Sequence, residues 1–149
     1  MKTWQRMVSL LVFAVVVMVA TPAMAASLEH DVLHYVNAER MAAGVQPLMM
    51  DETLATASDI RAEEAGVHFA HQRPDGREVQ SVVEDESYSW FGENLAVSTA
   101  ADAEEVVQAW MNSPTHRANI LNRHYTKMGV TCAKGADGRY YWAQELARD

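Results

Sequence analysis

Between Leu28 and Gly44 the apolar side chains Leu28, Val32, Tyr35, Val36 and Ala42 recur at helical spacing, and Gly44 supplies a stop. After the connector Pro47-Leu48, Asp51 is placed to cap a second helix. Its apolar face would be Leu54, Ala57, Ile60 and Ala65, with Gly66 as the end. The pattern weakens from Val67 to Val83. There Pro74 fixes φ, Asp75-Gly76 favours a tight reversal, and "EVQSVV" has room for one or two helical turns. A short strand is expected near Leu95 to Ser98. A third helix follows over "TAADAEEVVQAWM", with Thr99 or Asp102 as its cap and acids in the first turn. After Leu121 the period changes from 3.6 to 2. "KMGVTCA" and "RYYWAQEL" flank Asp137-Gly138, a hairpin signal. Helices followed by strands predict an α+β domain with a small antiparallel sheet.

The first 25 residues read as a targeting segment. Lys2 and Arg6 form a basic start, Met7 to Ala20 is apolar, and Ala23-Met24-Ala25 is a small-x-small cleavage signal. The apolar run is about 14 residues, short of the roughly 20 that span a bilayer. The expected organisation is a signal peptide over 1–25 and a single domain over 26–149, with no transmembrane helix in the mature chain. Export to a periplasm or the medium follows.

Charge narrows the partners. The chain carries 12 Lys and Arg against 20 Asp and Glu, a formal charge of -8, and losing Lys2 and Arg6 makes it -10. An acidic domain without a basic run predicts no nucleic-acid partner. Cys132 is the only cysteine, so no intramolecular disulfide forms, and its place in "GVTCA" predicts a buried, inert thiol.

Four segments could carry chemistry. His30 and His34 in "HDVLH" share a helix face, but Asp31 stands where the zinc-protease motif needs Glu, so they read as solvated histidines. His71 in "FAHQRPDG" precedes a turn, after an aromatic placed to anchor it. Glu93 in "WFGENLA" lies among apolar residues. A carboxylate there must reach water or find a partner, and backbone N–H groups of its own loop are one candidate. In "WMNSPTHRANIL", Pro114 forces the preceding helix to end by about Asn112, and Ser113 suits the N-cap with Pro114 at N1. His116 then falls in the first turn of a new helix, where the dipole disfavours the imidazolium and keeps a lone pair available. Asn94 is suited to holding a turn.

Together "VNAERMAAGVQPL", "DETLATASDIRAEE", "FAHQRPDGR", "GENLA", "WMNSPTHRANIL", "YTKMGV" and "YYWAQEL" resemble the CAP superfamily of cysteine-rich secretory, antigen 5 and pathogenesis-related 1 proteins. The match is to its small, cysteine-poor bacterial branch, often called SCP-like. The resemblance implies a three-layer α-β-α sandwich and a cleft lined by two histidines and one or two acids. A divalent metal, commonly zinc, can sit there, with His71 and His116 as ligands and Glu93 as a possible third. The cleft would be lined by His71, Glu93, His116, His124 and Gln144, and buttressed by Asn94, Ser113, Pro114, Arg117 and Asn119. Two departures stand out. Lys127 follows Thr126 where many bacterial members have an acid, and His124-Tyr125-Thr126 instead resembles a run of the plant and animal members.

Three functions are then open. A binding module would hold a metal or a small-molecule, lipid or peptide ligand, as a monomer. A hydrolase would use Glu93, His71 and His116 as catalytic groups, with Glu93 as general base or with zinc-bound water. A structural protein would use the same cluster only to hold its layers together. Binding is favoured, because no activated Ser or Cys nucleophile is evident.

Overall fold

A computed structural model describes residues 22–83 and 86–149. Most of the predicted targeting segment lies outside the described residues. The first helix, α1 (Pro22–Ala42), includes the expected cleavage position. Its exposed start, with Ala23 and Met24 in solvent, gives way at Leu28 to packed side chains. Val32, Val36 and Arg40 are its buried stripe, whereas Ala42, expected on that face, is exposed. No described helix is long and apolar enough to cross a membrane.

Strand β1 (Met49–Met50) leads into α2 (Glu52–Val67), which Asp51 caps by accepting from the Leu54 N–H at 3.0 Å. A 3-10 helix, Val79–Val83, occupies the predicted helical turns. Then come β2 (Trp90–Ser98), α3 (Ala103–Met111), α4 (Pro114–Ile120), β3 (Lys127–Lys134) and β4 (Tyr140–Arg148). Asp102 caps α3 through the Glu105 N–H at 2.9 Å.

The sheet order is β1-β3-β4-β2. β4 pairs antiparallel with both β2 and β3, and the two-residue β1 adds a parallel pairing, so the sheet is mixed rather than wholly antiparallel. A pairing of two residues leaves no periodicity to read, which hid β1 inside the connector.

Alternation along β4 assigns the layers. Trp142 and Leu146 face α1, α3 and α4, where Val32, Val36, Val106, Val107, Trp110, Ile120 and Met128 form the larger core. Tyr141, Ala143 and Ala147 face α2 and pack with Leu54, Ala57, Ala62, Ala65 and Leu95. Helices on both faces make this the three-layer sandwich expected, and they leave every β4 residue from 141 to 147 buried.

Two expected details change. α2 passes through Gly66 to Val67, and its buried face is rotated: Ile60 is 40% exposed while Arg61 is fully buried. β2 begins at Trp90, five residues before the predicted strand, so Glu93 is a strand residue rather than part of a loop.

Arg40 pins the larger layer. Its Nε donates to Gln46 O at 2.7 Å, Nη1 to Ile120 O at 2.7 Å and to Asn122 O at 3.0 Å, and Nη2 to Tyr125 O at 3.0 Å. One buried guanidinium thereby satisfies carbonyls at the end of α4 and along the turn into β3.

On the other face α2 crosses Gly129 of β3 so closely that an added Cβ would overlap the backbone of Leu54 and Ala55. Because backbone cannot rotate aside, Gly129→Ala is expected to lower stability by about 1–3 kcal/mol or more, read by urea denaturation. An unchanged midpoint would mean that the α2–β3 approach is looser than described.

Candidate functional site

Arg61 enters the molecule from the buried stripe of α2. Its Nε donates to Glu93 Oε2 at 2.7 Å and its Nη2 to Glu93 Oε1 at 3.1 Å, a two-pronged pairing between side chains 0% and 1% exposed. Nη1 donates to Glu64 Oε2 at 2.6 Å, and Nη2 also reaches Ala70 O at 2.7 Å and His71 O at 3.4 Å. Burial alone would lower the Arg61 pKa; the bonds to Glu93 and Glu64 outweigh it and hold the guanidinium firmly charged. Glu64 in turn takes Arg73 on both oxygens, Nη2 at 2.8 Å to Oε1 and Nε at 3.2 Å to Oε2. Helix, loop and strand are thus tied by one buried network.

This network orients His71. Its Nδ1 lies 2.8 Å from Glu93 Oε1. A carboxylate only accepts, so Nδ1 carries the hydrogen, and Nε2 is the ring nitrogen that Glu93 does not engage. The side chain is 62% exposed against 1% for Glu93, so the ring stands at the surface on a buried support.

His116 arrives from the opposite layer. Asn94 donates to His116 O at 3.2 Å and to Gln144 Oε1 at 3.0 Å, while Asn119 donates to Asn94 Oδ1 at 2.9 Å and to Glu93 O at 3.2 Å. These bonds dock α4 onto the outer side of β2, the last strand of the sheet. Tyr125 helps: its hydroxyl lies where any side chain at Gly92 would sit. Burial first, and then the nearby His71, lower the His116 pKa. A neutral ring was expected, but burial rather than the helix dipole is the leading cause. The two imidazoles thus belong to different helical layers, and the charge of His71 reaches the His116 ring.

Known proteins share this arrangement of layers. The family model described as the cysteine-rich secretory protein family, CAP, matches residues 33–146. The chain belongs to the CAP family. It is 36% identical over 131 residues to the uncharacterized protein YkwD of Bacillus subtilis, covering 85% of this chain and 49% of that protein. The chain spans half or less of the length of the curated relatives it matches. A Bacillus anthracis extracellular protein containing an SCP domain superposes with a TM-score of 0.71 at 23% identity, covering 87% of this chain and 44% of that one. An outer surface protein of Borrelia burgdorferi gives 0.70 at 20% identity, covering 80% of this chain and 92% of that one. These likenesses establish the CAP fold.

Within that fold the remaining predicted residues take other places. The His124 ring stacks on Trp90, with centroids 3.9 Å apart and planes within 1°. Gln144 is fully buried on the sheet face away from Glu93, bonded to Asn94. Ser113 is the N-cap of α4 with Pro114 beside it, yet its side chain makes no capping bond and instead lies 3.5 Å from the Thr115 hydroxyl. Arg117 faces solvent. The Lys127 ammonium is held by Asp149 at 2.7 Å and by Asp51 at 3.7 Å. His30 and His34 are exposed, and Cys132 is half-buried with its thiol pushed up to about 12 by burial.

Arg61 is the residue that the sequence reading missed. It lies four positions after Ala57 and four before Ala65, on the stripe given to apolar residues, and an arginine there needs a buried anion. Arg61→Met leaves Glu93 buried without its cation and is expected to cost about 3–5 kcal/mol in chemical denaturation. Adding Glu93→Gln should recover part of that loss, because the two changes are coupled. A cost below about 1 kcal/mol, a value typical of exposed pairs, would contradict the buried pairing.

Proposed function

We propose that this chain is an exported binding domain whose His71 and His116 imidazoles together take a divalent cation, zinc first, and through it a small ligand. The observation that carries the reading is the His71 Nδ1 to Glu93 Oε1 contact of 2.8 Å, which leaves Nε2 unengaged by Glu93 on an exposed ring. A histidine held by a carboxylate at one nitrogen is the usual support for a metal ligand at the other. The lowered pKa of His116 supplies a second neutral donor.

The donor set fits an open site rather than a closed one. Both Glu93 oxygens are engaged by Arg61, and one also by His71, so Glu93 acts as the support and not as a ligand. Among the described residues no three His, Cys, Asp or Glu side chains are grouped to hold a metal. Two imidazoles would hold the ion, and its remaining positions would fall to water and ligand oxygens. Val67, 83% exposed, and Phe69, 51% exposed, stand just before His71 and offer an apolar rim for the rest of a ligand.

The same geometry favours binding over hydrolysis. Both Glu93 oxygens face the buried Arg61 guanidinium, which disfavours protonating it as a base, and the Cys132 thiol is far from the thiolate form. The leader-like first 25 residues support export, as do the extracellular and outer-surface descriptions of the structural relatives.

Calorimetry with zinc at pH 7.5 in chelator-free buffer tests the proposal. One site is expected, lost in His71→Ala and in His116→Ala, and weakened about 10–100-fold in folded Glu93→Gln, which removes the carboxylate beneath His71 but no proposed ligand. No heat with the wild type, or equal binding by His71→Ala, would remove the metal.

A further inference from the structure

Glu145 is a buried acid that the proposed site does not use. It pairs with Glu93 across the β2–β4 ladder, so both side chains project to the α2 face. It is completely buried, and neither of its oxygens has a hydrogen-bond partner.

The charges around it are already matched. From α2 come Arg61 and Glu64, from the following loop Arg73 and His71, and from β2 Glu93. Arg61 bonds to Glu93 and Glu64, and Arg73 bonds to Glu64, so two guanidiniums face two carboxylates. An ionised Glu145 would add a negative charge beside cations that, among the described residues, are already paired with Glu93 and Glu64, and without contact with water. A neutral carboxyl instead has one O–H to place, and the Glu93 carboxylate beside it is an acceptor. The terminal torsion of a glutamate is soft enough to turn that O–H toward Glu93.

We propose that Glu145 is a positioning residue: a neutral carboxylic acid at pH 7 that shares its proton with Glu93 and so fixes the carboxylate presented to His71 Nδ1. Burial first, and then the charge of Glu93, push the Glu145 pKa well above its ordinary 4.5, in agreement with that state. No covalent bond changes; the proton stays between two oxygens. The inference deepens the reading that His71 offers Nε2 as a ligand, and it concerns the protein without metal.

Infrared spectroscopy and nitrogen NMR of the metal-free protein test it. A protonated-carboxyl band is expected to persist at pH 7 in the wild type and to be missing from Glu145→Gln. His71 should keep its hydrogen on Nδ1 in the wild type and in Glu145→Gln, which retains a donor, but populate both tautomers in Glu145→Leu. The stability profile has a definite sign. Above pH 4.5 the unfolded chain ionises Glu145 while the folded chain keeps its proton. Wild-type stability must therefore fall relative to Glu145→Gln as pH rises from 4.5 toward 7. Absence of the band at pH 7, or a His71 tautomer unchanged in a folded Glu145→Leu, would overturn the proposal. Should Glu145→Leu not fold, the infrared comparison of wild type with Glu145→Gln decides alone. Zinc enters none of these readouts, so a failed metal titration leaves the test standing.

Discussion

A guanidinium and a carboxylate buried together between α2 and β2 set the geometry on which the rest of the site depends. Neither Arg61 nor Glu93 reaches water, so each must be satisfied by the other and by the neighbours their pairing brings in. The arginine uses its remaining N–H groups on Glu64 and on the carbonyls of Ala70 and His71, which fixes the chain where it leaves the helix. His71 is thereby aimed from beneath, through the Arg61 bonds to the chain around it and the contact of its Nδ1 with Glu93. A pair of this kind gives little net stability against an apolar replacement, but breaking one half is costly. Its value here lies in holding one arrangement of helix, loop and strand.

A second buried arginine performs the matching task in the other layer. Arg40 gathers the carbonyls of Ile120, Asn122 and Tyr125, so the end of α4 and the turn after it cannot drift. Asn94 and Asn119 then lock α4 to the outside of β2, and His116 rides on that helix. The two imidazoles come from opposite faces of the sheet, and each is held by its own layer. Glu93 and Asn94, adjacent in the chain, point to opposite faces and serve one layer each.

Much of this was legible in the sequence, and the gaps have physical causes. Asp51 and Asp102 signal their helices through capping chemistry that depends only on local residues. The hairpin at Asp137-Gly138 is likewise local and forms with Gly135 N–H donating to Arg139 O at 2.8 Å. The CAP motifs also pointed to His71, Glu93 and His116. The partner of Glu93 was not legible, because Arg61 lies 32 residues away and reads as a solvated charge on an otherwise apolar stripe. Ile60 looked like the core residue until burial of Arg61 turned the helix by one position. β1 was too short to leave a pattern, and its parallel pairing with β3 depends on contacts far along the chain. Glu145 gave no local signal either, since its condition follows from facing Glu93 across the ladder.

The central claim is that Glu93 is committed to Arg61 and supports His71, and is not itself a ligand of the proposed metal ion. Anomalous diffraction at the zinc edge, from crystals of zinc-loaded protein, tests it most directly. The account predicts one peak within bonding distance of His71 Nε2 and the His116 ring, with Glu93 still paired to Arg61. A peak bonded to the Glu93 carboxylate, with Arg61 released from it, would contradict the account.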